Sequence, residues 1–298
     1  MVTPFDDAGA LDLDAAARLA RWLSEHGSDG LVVSGTTGEA PVLSDDEMQQ
    51  LWRSVREAVT IPVLAGTGTN DTRHSVELTM AAEKAGVDGV LVVTPYYSRP
   101  SQQGMAAHFE AIARSTSLPV LLYDIPVRAG RRIALDTMLH LARDVQNIVG
   151  VKDATGDVAS SARLAMQAPA GFEIYSGDDA LTLALLAVGA VGVVSVASNW
   201  APAEMSDVIC SFAKGDLTAA RKANARLMQS YEFESSESFP NPLPAKAACR
   251  ALGLRVGQCR MPFGEAPPEL DQRAVEVLRG LGLPEGSARE RSAGGTLA

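Results

Sequence analysis

Short apolar, β-branched runs recur along this 298-residue chain with helix-length segments between them, and that alternation limits the fold more than any other feature. The runs are Leu31-Val32-Val33, Pro62-Val63-Leu64-Ala65, Val90-Leu91-Val92-Val93, Pro119-Val120-Leu121-Leu122-Tyr123, Ile148-Val149-Gly150-Val151, Phe172-Glu173-Ile174-Tyr175 and Val191-Gly192-Val193-Val194. They lack the polar alternation of a half-solvated strand, so they read as parallel strands covered on both faces. A stub at Val2-Thr3 brings the count to eight. The intervening segments carry helix punctuation: Ser44-Asp45-Asp46-Glu47 is a capping box ahead of the stripe Met48, Leu51, Trp52 and Val55, and the stripe Leu19, Trp22, Leu23 closes at Gly27. Eight βα units predict an α/β fold, a (β/α)8 TIM barrel, with an open doubly wound sheet as the rival. The barrel is expected over residues 1–215. Beyond it the strand signal stops, and 217–231 and 245–254 read as helices flanking Pro240-Asn241-Pro242-Leu243-Pro244. This predicts a C-terminal helical domain over 216–285, with 286–298, which lacks apolar periodicity, as a disordered tail.

Charge and composition remove several classes of function. With 26 basic against 36 acidic residues the net charge is -10, and no Lys/Arg-rich run exists, so neither a nucleic-acid nor an anionic-membrane partner is expected. The stretch 180–203 carries no charge and is long enough to span a bilayer. Gly189 and Gly192 interrupt it, its first half reads as a helix and its second as a strand, and no Lys or Arg flanks it closely; it is read as core. Cys210, Cys249 and Cys259 show no CxxC spacing and are read as reduced thiols. The start, Met1-Val2-Thr3-Pro4-Phe5-Asp6-Asp7, has neither a basic nor an apolar leader region, so a cytoplasmic location is expected. His26, His74, His108 and His140 lack ligand spacing, so no catalytic metal is expected.

In a parallel barrel the residues that follow each strand gather on one face, where such folds place their chemistry. Lys152 closes the run Ile148–Val151 and precedes the turn Asp153-Ala154-Thr155-Gly156. A lysine there either packs its stem and sends its head to water, or sits dry, where desolvation favours the free amine that Schiff-base chemistry needs. Tyr123 ends another run and is a phenol able to exchange protons with an amine, while Arg128 just beyond it carries a guanidinium suited to a carboxylate. Ser34-Gly35-Thr36-Thr37-Gly38-Glu39 is either a plain turn or a cradle of amides and hydroxyls for a small anion. Thr94-Pro95-Tyr96-Tyr97 reads as aromatic filler or as part of a site, and Ser176-Gly177-Asp178-Asp179 as a helix N-cap, with both aspartates assigned to capping. Gly66-Thr67-Gly68 fails as a dinucleotide fingerprint because Asp71 stands where the third glycine belongs.

In order along the chain, GTTGE, AGTG, TPYY-RPSQ, YDIP-R-G, GVKDATG, SGDD and NPLPAK resemble the dihydrodipicolinate synthase / N-acetylneuraminate lyase family from about Val2 to Leu254. The resemblance implies a (β/α)8 barrel with a helical C-terminal domain, assembled as a homotetramer or homodimer, and a lyase that needs no cofactor. It makes Lys152 the lysine that captures pyruvate and Thr36-Thr37 the site of the pyruvate carboxylate. Tyr123, Thr36 and Tyr97 form a proton relay, Tyr97 being donated by a neighbouring subunit, and Gly177 and Val194 line the pyruvate pocket. Arg128 matches the arginine that grips the carboxylate of aspartate semialdehyde and separates the synthase branch from sugar-acid aldolases; a sugar-acid lyase and a non-catalytic metabolite-binding paralogue are the alternatives. Two departures stand out. Family members carry several apolar residues before the VTP motif, so strand one is expected to be truncated here, with backbone groups unpaired at a barrel seam. Where lysine-inhibited relatives carry polar or histidine residues this chain has Ala40, Pro41, Asp45, Met48 and His74, with Asn70 and Tyr96 retained, so lysine feedback is expected to be weak or absent.

Overall fold

The structure, a computed structural model, describes residues 1–283 and 285–286, so the tail expected over 286–298 lies, apart from Gly286, outside the described residues. The chain divides into two units, Pro62–Ser195 and the combination of Met1–Ile61 with Val196 onward.

The first of these is a run of βα repeats. Its strands are β2 (Val63–Gly66), β3 (Gly89–Val93), β4 (Val120–Asp124), β5 (Ile148–Asp153), β6 (Glu173–Ser176) and β7 (Gly192–Val193); β1 (Leu31–Val33) belongs to the other unit. Strands β2 to β7 pair in parallel in chain order. The helices between them, among them Thr72–Lys84, Gln102–Arg114, Leu135–Asp144 and Val158–Gln167, each turn one face inward, which on Gln102–Arg114 is the apolar stripe Met105, Phe109 and Ile112. Asp71, Ser101 and Asp157 cap three of them through the side-chain oxygen.

One irregularity decides which side chains meet. Between β4 and β5 the register slips: Val120 is opposite Ile148, but Leu121 is opposite Gly150. Val149 is the extra residue, and it is exposed. Because side chains alternate with a period of two, this slip brings Tyr123 opposite Lys152 and Asp124 opposite Asp153. Gly150 permits the close approach of β6 that follows, since a Cβ there would lie 2.4 Å from the Glu173 carbonyl oxygen.

The other unit begins with the helix Leu13–Glu25, capped by Asp12, then β1 and the helix Asp45–Ala58, where Ser44 and Glu47 form the full capping box. It continues as Pro202–Ala213, Leu217–Phe233, Leu243–Ala251 and Pro268–Leu281, with no strand after Val193 among the described residues. Trp52 and Trp200 are fully buried, and each indole N–H donates to a serine, Ser34 and Ser230 respectively. The expected strand stub at Val2-Thr3 is not a strand. The Met1 ammonium donates to the Val32 carbonyl at 2.6 Å and the Val2 N–H to the Asn199 side chain at 2.9 Å, so single bonds to a carbonyl and an amide hold this backbone where a ladder was expected. Among the described residues there are seven strands, and no helix is long and apolar enough to cross a membrane.

Candidate active site

Three of the expected site residues come together at the C-terminal ends of β4, β5 and β6. Lys152 stands on β5 opposite both Tyr123 on β4 and Tyr175 on β6. Its side chain is buried, and Nζ sits over the Tyr123 ring, 4.3 Å from the centroid. Gly177, just past β6, supplies the space for the lysine stem: a Cβ on it would lie 3.0 Å from both Cγ and Cε of Lys152 and 2.8 Å from the Ala154 Cβ. Tyr123 is anchored through its backbone, since both the N–H and the hydroxyl of Thr94 donate to its carbonyl at 2.9 Å.

The aspartates next in sequence take the opposite face of the strands. Asp124 accepts from the Ile133 N–H through both carboxylate oxygens at 3.2 Å. Asp153 accepts from the Thr155 N–H and hydroxyl and from Ser161 of the helix Val158–Gln167. Burial pushes the Asp124 carboxyl up to about 7; the Ile133 hydrogen bond opposes that rise, Asp153 adds to it, and Arg132 opposes it. These two carboxylates stand behind the lysine and tyrosine without touching the same space. In the sequence both stand inside motifs, YDIP and GVKDATG, without a role of their own; the signal for their position is the period of two, which turns the residue after each inward-facing one toward the helices.

The remaining expected residues are placed as follows. Val194 follows β7 and donates its N–H to the Ser176 carbonyl. Arg128 lies in the short helix Pro126–Ala129 directly after β4 and is exposed. Tyr97 is 89% exposed and has a left-handed backbone, φ 69°, whereas its neighbour Tyr96 is half-buried and its hydroxyl is held by the Asn70 backbone N–H. Thr36 and Thr37 belong to the other unit, in the loop after β1, where Asn241 Nδ2 donates to Thr37 Oγ1 at 2.9 Å. The capping assignment holds for Asp178, which accepts from the Ala180 N–H, but not for Asp179. Asp179 is buried and accepts from the Ser195 hydroxyl at 2.8 Å, because consecutive side chains leave the chain in different directions and only one of them can reach the helix start. His108 is also buried, bonded to Thr72, and burial pulls it down to about 4, so it is a neutral core residue. Among the described residues no group of three or more His, Cys, Asp or Glu side chains is placed to hold a metal ion.

A buried primary amine beside a phenol at the carboxyl ends of parallel strands, on a βα-repeat scaffold, stands where enzymes of this architecture place their chemistry. The chain belongs to the dihydrodipicolinate synthetase family, whose model matches residues 1–280. It is 46% identical to the 4-hydroxy-tetrahydrodipicolinate synthase of Moorella thermoacetica, over 95% of this chain and 97% of that one. It is 47% identical to the enzyme of the same name from Acidothermus cellulolyticus, over 96% and 92% of the two chains. Among solved structures, the dihydrodipicolinate synthase of Cyanidioschyzon merolae, crystallised with lysine bound, superposes with a TM-score of 0.92 at 41% identity, covering 95% of this chain and 96% of that one. The fold class is therefore the one expected, an α/β (β/α)8 barrel with a C-terminal helical domain.

Proposed function

We propose that this chain is a 4-hydroxy-tetrahydrodipicolinate synthase that condenses pyruvate with L-aspartate 4-semialdehyde through an imine on Lys152. The observation that carries the reading is the buried Lys152 amine 4.3 Å above the Tyr123 ring, in a chain 46% identical to an enzyme of that name. The amine attacks the keto carbon of pyruvate and water leaves, giving an iminium that acts as an electron sink. A methyl proton is then lost to give the enamine, which attacks the aldehyde carbon. Tyr123, Thr36 and the Tyr97 of a neighbouring subunit pass the protons. Thr36 and Thr37 hold the pyruvate carboxylate, Gly177 and Val194 border the pocket, and Arg128 takes the carboxylate of the second substrate through paired N–H donors. Closure by the substrate's own amine then displaces Lys152. These steps need no external cofactor. A homotetramer or homodimer working in the cytoplasm completes the reading, the exposure of Tyr97 fitting a side chain shared between subunits.

The test is incubation with pyruvate and borohydride, followed by mass mapping and a panel of aldehyde acceptors. A reduced pyruvyl adduct on Lys152, with aspartate semialdehyde preferred over sugar aldehydes, is the expected result; labelling elsewhere, or none, overturns it. Lysine is expected to change the initial rate by less than about twofold at millimolar concentration, below the roughly fivefold coupling at which allosteric effects usually begin. The reason is the replacement of polar lysine-site residues by Ala40, Pro41 and Met48. Strong inhibition in that assay would show that Asn70 and Tyr96 suffice to bind the effector.

A further inference from the structure

Two charged side chains outside the imine site are completely enclosed and paired with each other. Glu39 and Lys246 have side chains at 0% exposure, and Lys246 Nζ lies 2.7 Å from Glu39 Oε1. Each group has further partners within this unit. Nζ donates to the Gln258 carbonyl at 2.8 Å and lies 4.1 Å from the Phe5 ring centroid, while Glu39 Oε2 accepts the Arg260 backbone N–H at 2.9 Å. Burying both charges is costly, and apolar residues of similar volume would often serve stability as well, so stability alone gives little reason for such a pair. Its position supplies another reason. Glu39 ends the loop that begins at Ser34, and both residues have left-handed backbones, φ 58° and 52°. The Glu39 N–H closes the turn onto the Thr36 carbonyl at 3.1 Å, and Thr3 Oγ1 donates to the Gly38 carbonyl at 2.6 Å. Two non-glycine residues at positive φ persist only where surrounding contacts over-determine the backbone, and the Glu39 carboxylate is such a contact.

Asn241, five residues before Lys246, reaches the same loop. Because its amide donates to Thr37 Oγ1, the threonine accepts there and its own hydroxyl hydrogen is free to point at a carboxylate oxygen.

We propose that Glu39, Lys246 and Asn241 are positioning residues for the carboxylate subsite: the segment Asn241–Lys246 holds the Thr36-Thr37 loop in the strained shape and hydroxyl polarity that a keto-acid carboxylate requires. This rests on the functional reading above and deepens it. The neutral double variant E39Q/K246M tests it, since removing both charges together leaves no unpaired buried ion. With the fold retained by circular dichroism, pyruvate KM rises about tenfold, as expected for lost orientation of a hydrogen bond to a charged group, while kcat and borohydride trapping at saturating pyruvate stay near wild type. Thr37→Val produces a similar rise, and combining the changes gives less than the product of the two, because both act through one loop. An unchanged KM in the folded variant, or full additivity with Thr37→Val, overturns the proposal. Should the double variant not fold, Asn241→Ala is read by the same criteria, and an unchanged KM there also overturns it. A wild-type chain that traps no pyruvate sinks the functional reading and this inference together; trapping with unchanged KM in the variants sinks this inference alone.

Discussion

Replacing Lys152 with alanine is expected to lower turnover by about 10³-fold or more and to abolish borohydride labelling, while the protein stays folded. The size of the effect follows from the role: without the amine no iminium forms, and no other group in the described cluster can act as the electron sink. Two opposing terms bear on the fold. Truncation opens a cavity where the lysine stem lay against Gly177 and the Tyr123 ring, but it also removes an amine that burial desolvates. Lys152→Met separates them, since it keeps most of the stem volume and loses only the nitrogen. Both variants should melt cooperatively and lack activity. Turnover within about tenfold of wild type in either one would remove the covalent mechanism.

Replacing Asp124 with asparagine is expected to stabilise the protein at pH 8 and to leave it almost unchanged at pH 4. The carboxyl is raised from 3.8 in the free side chain to about 7 in the folded protein, so between those values the folded state holds a proton that the unfolded state has released. Stability linked to this group is therefore fully present below about pH 4 and lost as pH rises through 7. Asparagine is neutral throughout and keeps an oxygen for the Ile133 N–H, so it escapes the loss. The three-unit difference corresponds to an upper bound of roughly 4 kcal/mol, reduced by whatever relaxation lets water reach the charge. Melting temperatures of the two proteins across pH 4 to 8 give the answer, and a difference that does not grow with pH would show that Asp124 ionises without cost. The charged groups that act on it are Asp153, opposite it across the β4–β5 ladder, and Arg132, next in sequence to the Ile133 that donates to it.

The placement of Lys152, Tyr123 and Gly177 follows from local sequence pattern, because each ends or follows an apolar run and parallel βα repeats bring such positions to one face. Val2-Thr3 differs: the stub completes a count of eight in the sequence, but a strand requires ladder partners, and the N–H of Val2 is instead taken by the side chain of Asn199, far away in sequence. Asp179 likewise lies in a run of capping residues but is bonded inward to Ser195. In sequence Asp124 and Asp153 are indistinguishable from turn punctuation; their burial depends on the Ile133 N–H and on Ser161 of a helix, partners 9 and 8 residues away.

The kinds of element and their order are written locally, since continuous apolar runs, a 3.6-residue apolar period and the capping signals are properties of adjacent residues. The sequence also determined which strand ends carry an amine, a phenol and a guanidinium. Which of these meet depends on how distant segments pack. The extra residue at Val149 sets the slip that puts Lys152 opposite Tyr123, the missing side chain at Gly177 leaves room for the lysine stem, and Glu39 finds Lys246 across some two hundred residues. Such pairings depend on register and close packing between segments remote in the chain, and no local pattern records them.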